Sequence, residues 1–220
     1  MKVFTTIVTM MMIVIGCSTV VRDRRGGPVK IPVACCRAMA PTPTQQAVVE
    51  TAARMVGGRT FEVGGRRISS DCAGVTRAIF LRHGIDLYAG GEAGANANGV
   101  RLIYDHVKHH GRLHRGPMVR AGDLVFFDDT WDYNGDGVAN DALTHVGVVE
   151  TVDSEGTVVF ISRVAAAVQR YRMNLRMPNI HRTSDGRVLN DYLRRKRWSD
   201  SGETAYLTGE LFAGFGSLVQ

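Results

Sequence analysis

No part of the sequence is apolar for long enough to span a bilayer as a stable helix; the run Val3 to Ile15 is instead the length of a signal-peptide core. With 25 glycines and six prolines, and no period in either, collagen-like and low-complexity architectures are excluded. There is no internal repeat. Lysine and arginine are missing altogether between Ala121 and Ser162, a stretch that holds nine acids, although the whole chain carries a net charge of +6. A basic stretch follows, but no ladder of aromatic residues accompanies it, which argues against single-stranded nucleic acid as a partner.

What is present begins with an exported leader. Met1-Lys2 and the apolar run end at Val14-Ile15-Gly16-Cys17, which resembles the lipobox of bacterial lipoproteins. That resemblance implies cleavage before Cys17, lipid on Cys17, and localisation to the bacterial envelope, facing the periplasm or the cell surface. Residues 18–43, with Gly26, Gly27, Pro28, Pro32, Pro41 and Pro43 among basic residues, show neither helical nor strand period and read as a tether. Cys35 and Cys36 fall inside it, and an exported compartment permits disulfides, but their pairing is open. The division is therefore a leader over 1–16, a lipidated cysteine and tether over 17–43, and one domain over 44–220. About 175 residues are enough for one real core.

Within the domain, helical spacing of Val48, Val49, Ala52, Ala53 and Val56 predicts a first helix capped by Thr44 and stopped at Gly57-Gly58. Gly64-Gly65 marks a short hairpin, Ser69 and Ser70 suit the cap of a second helix from about Asp71 to His83, and a third helix runs from about Asn98 to His110. After that the period becomes extended. Leu124 to Phe127, Val146 to Val152, Val158 to Ile161 and Gln169 to Met173 read as strands joined by turns, with a closing element over Thr208 to Leu218. Helices first and antiparallel strands after make an α+β architecture.

Asp71-Cys72-Ala73-Gly74 sets a thiol in the first turn of a helix, where unpaired backbone N–H groups favour an anion. That effect contributes about 0.3 to 1 kcal/mol, less than one pKa unit, so a base is needed as well. His145, heading the apolar strand Val146-Gly147-Val148-Val149, is the candidate. Three segments, Asp71-Cys72-Ala73-Gly74-Val75, Gly122-Asp123-Leu124-Val125-Phe126-Phe127 and Thr144-His145-Val146-Gly147-Val148-Val149, together resemble the NlpC-type cysteine peptidases and the related CHAP amidases.

The resemblance covers about residues 44–163. It implies a papain-like fold with helices packed on an antiparallel sheet, Cys72 as nucleophile, His145 as base, the Cys72 N–H in the oxyanion hole, and peptidoglycan as substrate and partner. No cofactor is required for such chemistry. Ala73 departs from the serine common at its position, and Phe61 or a neighbour occupies the region of a usual upstream tyrosine. Aligning Val158 to Ile161 with the family's next strand puts Ser162 in the place of the imidazole-orienting residue, with Asp141 or Asp129 as alternatives.

The local acid excess raises an imidazolium's pKa while opposing a thiolate, so its net effect on the pair has no sign from sequence. Inside it, Asp132, Asn134, Asp136, the Val138 carbonyl and Asn140 follow the spacing of the first part of a calcium loop, with Gly137 at the turn. Leu143 stands where the closing carboxylate belongs, so Asp141 would have to close the shell; a solvated Asn-Gly-Asp-Gly turn fits equally well. From Arg163 to Arg197, nine arginines and one lysine oppose Asp185 and Asp191, suited either to an anionic polymer or to pairing with the acidic stretch. The sequence leads to a cell-wall hydrolase, with a non-catalytic calcium-stabilised wall-binding lipoprotein, or an acyltransferase or thioesterase using the same dyad, as the alternatives.

Overall fold

The computed structural model describes residues 35–90, 98–198 and 200–218, with the backbone of 21–22 and 28–29. The expected leader over 1–16 and the expected lipidation site Cys17 lie outside the described residues. Val21–Arg22 (β1) and Pro28–Val29 (β2) pair antiparallel, and Arg37–Met39 (β3) follows the buried, mutually disulfide-bonded Cys35 and Cys36.

Helix α1, Pro43–Arg54, starts two residues earlier than a cap at Thr44 would place it. Its cap is Thr42, whose hydroxyl accepts from the Gln45 amide at 3.2 Å while the Gln45 side chain accepts from the Thr42 amide at 3.0 Å. Pro43, with its φ already helical and no N–H to lose, completes this start. Glu62–Val63 (β4) and Arg66–Arg67 (β5) make the small hairpin, turned by Gly64 and Gly65 at φ of 57° and 73°, the left-handed pair that a tight right-twisted hairpin demands. Helix α2, Cys72–Leu81, is capped by Asp71 rather than by Ser69 or Ser70, and α3, Gly99–His110, by Asn98.

The remaining strands are Arg112–His114 (β6), Met118–Arg120 (β7), Leu124–Phe127 (β8), His145–Val152 (β9), Thr157–Val164 (β10), Ala167–Asn174 (β11) and Phe212–Ser217 (β12). Six of them form an antiparallel sheet in the order β11-β10-β9-β8-β12-β6, while β3 pairs in parallel with β7. The fold class is thus α+β, with three helices and a six-stranded antiparallel sheet among the described residues.

Both faces of the sheet are buried, which explains why β8 reads Leu-Val-Phe-Phe without alternation. Phe126, Val146, Val148 and Ile161 meet α1, α2 and α3 on one face. Val125, Phe127, Val149 and Phe160 meet the segment carrying Leu175, Leu193 and Leu211, together with Cys35 and Cys36, on the other. Packing on that second face therefore includes Cys35 and Cys36, from the stretch that precedes the domain expected over 44–220. Near the far edge of the sheet α3 crosses β12 so closely that a Cβ on Gly216 would lie 2.9 Å from Val107.

Candidate functional site

The site forms where the N-terminus of α2 meets the head of β9. Asp71 Oδ1 accepts from the Gly74 amide at 2.6 Å, and Ser69 Oγ donates to Asp71 Oδ2 at 2.5 Å, so the turn before Cys72 is fixed by its own polar groups. Gly74 must lack a side chain, since a Cβ there would collide with the Ser69 carbonyl. Cys72, partly exposed and the only free cysteine among the described residues, sits on the first residue of the helix.

Its sulfur lies against the backbone amides of Val146, Ala73 and Cys72 itself, each of which favours the thiolate. Burial outweighs them. Together with the nearby Asp71 carboxylate, it pushes the thiol up to about 11.

His145 is buried at the first position of β9, paired in register with Phe127 of β8. Burial alone brings its imidazole down to about 4. The acidic stretch around it thus has less effect than desolvation, and at neutral pH the resting pair is thiol and imidazole, both uncharged. On β10, Ser162 Oγ lies 2.8 Å from His145 Nε2 and donates to the Val146 carbonyl at 2.6 Å. A hydroxyl has one hydrogen, and the carbonyl can only accept it, so Nε2 must be the donor to Ser162. That leaves Nδ1 as the proton acceptor. Gly147 permits the approach, because a Cβ there would stand 3.1 Å from Ser162 Cβ and 3.0 Å from the Ile161 carbonyl.

Thus Cys72, His145 and Ser162 all gather at the backbone of one residue, Val146. Among the described residues no hydrogen bond joins the Cys72 thiol directly to His145. Neither Asp129 nor Asp141 takes the orienting position: Asp141 Oδ2 accepts from the Tyr133 amide at 2.9 Å, and the imidazole's partner is Ser162. Asn98 Nδ2 donates to the Leu143 carbonyl at 3.1 Å, and Leu143 N donates to Asp128 Oδ1 at 2.7 Å, so α3 and β8 both hold the approach to His145.

One wall residue has no signal in the sequence pattern. Tyr88 is held above its ordinary pKa, at about 12, first by burial and then by the charges of Asp71 and, further down, Cys72. Arg77 stacks 4.4 Å over its ring, and Arg77 is itself clamped by Asp86 at 2.7 and 2.8 Å. Phe61, by contrast, is a core residue.

The loop over 130–140 is closed by Asp129 N donating to the Asp141 carbonyl at 2.7 Å. Its oxygens face its own amides. Asp132 accepts from Gly135 and Gly137, Asn134 from Asp136, and Asp136 from Val138, at 2.7 to 3.0 Å. Asn140 donates its backbone N–H to the Val138 carbonyl. Among the described residues no three acidic, histidine or cysteine side chains converge as a metal-ligand group. The acidic and basic stretches meet at Arg170, which grips Glu150 at 2.6 and 2.7 Å.

No family model matches the chain, and no curated protein matches it.

Proposed function

We propose that the protein is a cysteine peptidase or amidase of the bacterial cell wall, with the papain-like NlpC/CHAP fold, exported and held to the membrane through lipid on Cys17. The observation that carries this reading is the gathering of Cys72, His145 and Ser162 at Val146, with the imidazole tautomer set so that Nδ1 is free to take a proton. Two segments of the family pattern, distant in sequence, supply Cys72 and His145, and the strand that follows them supplies Ser162.

In this reaction the thiol proton passes to His145 Nδ1 as sulfur attacks the amide carbonyl, and the same proton then leaves with the amine. Water hydrolyses the resulting thioester. The Cys72 N–H faces the developing oxyanion. Because thiol and imidazole start neutral, proton transfer and attack are coupled.

A second reading, a wall-binding protein without turnover, is favoured by the lack of a direct thiol–imidazole hydrogen bond among the described residues. One experiment separates them: incubation with purified peptidoglycan and mass analysis of the released fragments. The wild type releases peptide or amide fragments, and both Cys72→Ala and His145→Ala release none, a loss of at least about 10³-fold. Equal release by wild type and Cys72→Ala would end the hydrolase reading.

A further inference from the structure

We infer that the open cleft beside the loop leading to His145 is a binding site for an anionic saccharide, one bearing carboxylate or phosphate. The cleft encloses about 400 Å³ between Thr130 and Trp131 on one side and the segment from Arg194 to Trp198 on the other. Trp198 is fully exposed and Trp131 is 47% exposed, an unusual cost for two indoles unless a ligand covers them. Arg195, Lys196 and Arg197 make no side-chain ion pair among the described residues. Arg194 forms the buried back wall. Its Nη1 donates to the Asp129 carbonyl at 2.7 Å, its Nη2 pairs with Asp200 at 3.3 Å, and its Nε has no hydrogen-bond partner.

The chemistry of the lining selects the ligand. Guanidinium and ammonium groups call for carboxylate or phosphate oxygens, and flat indole faces call for a broad C–H surface. Apart from the two indoles, the walls are hydroxyl, guanidinium and ammonium, so an apolar peptide side chain finds no socket. A pyranose ring has both a C–H face and a polar rim. A long polyanion such as single-stranded nucleic acid would have to run past Asp132 and Asp136 on the adjoining loop, which repel it.

The cleft is tied to the site. Trp131 Nε1 donates to the Thr144 carbonyl at 3.3 Å, and Thr130 donates through N and Oγ1 to Thr144 Oγ1 at 2.8 and 2.9 Å. Thr144 precedes His145, so a ligand held at Trp131 is joined to the site through the residue before the imidazole.

Calorimetric titration of the full chain with oligogalacturonate and with a phosphorylated mannan tests this, each arm reporting one source of the anion. Binding to at least one of them is expected, weakened by added salt. The triple variant Arg195→Ala, Lys196→Ala, Arg197→Ala and the single variant Trp198→Ala each weaken it by about ten-fold or more. Trp198 is wholly in solvent, so its replacement leaves folding intact. Equal affinity for neutral dextran, for polyglutamate or for oligothymidylate would overturn the proposal, as would an unchanged affinity in Trp198→Ala. The result is independent of turnover, since Cys72→Ala keeps the binding whether or not the wild type cleaves peptidoglycan.

Discussion

The backbone of Val146 is shared, with the Cys72 sulfur near its N–H and the Ser162 hydroxyl on its C=O. At the scale of the residue this arrangement does what a carboxylate does in other sites, holding the imidazole by an oxygen, but it adds no charge. His145 is therefore not helped to become an imidazolium, and desolvation decides its state. Asp71 acts on the other partner. As the cap of α2 it is needed for its acceptor oxygen, while its charge opposes the thiolate. Asp71→Asn keeps the cap and removes the charge. The variant is expected to alkylate with iodoacetamide at pH 8 several-fold faster than the wild type, roughly what a fraction of a pKa unit gives. In the wild type the rate climbs beyond pH 9, and a plateau reached below pH 8 would show a thiolate already formed at rest.

At the scale of the element, the helices were legible because apolar spacing and capping chemistry act locally. The first two caps were each misplaced. Thr42 and Asp71 prevail over Thr44 and the two serines because each finds a backbone amide at the right distance once the helix forms. Strands β8 to β11 were legible from their β-branched and aromatic runs, whereas Ser162 came only from the family resemblance; Ile161 faces Val148, so Ser162 reaches His145 diagonally across the strand pair. Burial of His145 was not legible, since desolvation depends on everything packed around the ring. The short strands β3, β6 and β7 carry no period of their own and exist through their tertiary partners.

The 130–140 loop shows the same limit, for calcium-loop spacing and a self-capped turn use identical residues. Each carboxylate already satisfies backbone amides, so Asp132→Ala, which strands the Gly135 and Gly137 amides, is expected to lower stability by about 1 kcal/mol. Addition of millimolar calcium is expected to move melting little. A calcium-dependent rise that disappears in Asp136→Ala would instead show that the loop turns its oxygens outward around a cation.

Across the whole molecule two histidines, His145 buried and His114 half-buried, set the acid limit. His114 is brought down to about 4, first by burial and then by Arg112 and Arg120, and His145 is equally low through burial. In the unfolded chain both take a proton near the ordinary 6.5, whereas the folded protein refuses it until about pH 4. Stability is thus fully present above pH 6.5 and declines as pH falls from there to about 4. Asp123, raised by burial, works in the opposite sense and softens the decline. Denaturant melts across this range are expected to show the loss, with His114→Asn removing roughly half of the slope; a flat profile would mean that both rings protonate freely in the folded state. The antiparallel sheet has a further consequence for how the chain folds. Strand β12, from residues 212–217, lies between β8 and β6, so β6 joins the other strands only through a segment far from it in sequence. Until β12 pairs, the Leu-Val-Phe-Phe edge of β8 is open on one side, so a long-range pairing must form before that apolar edge is covered.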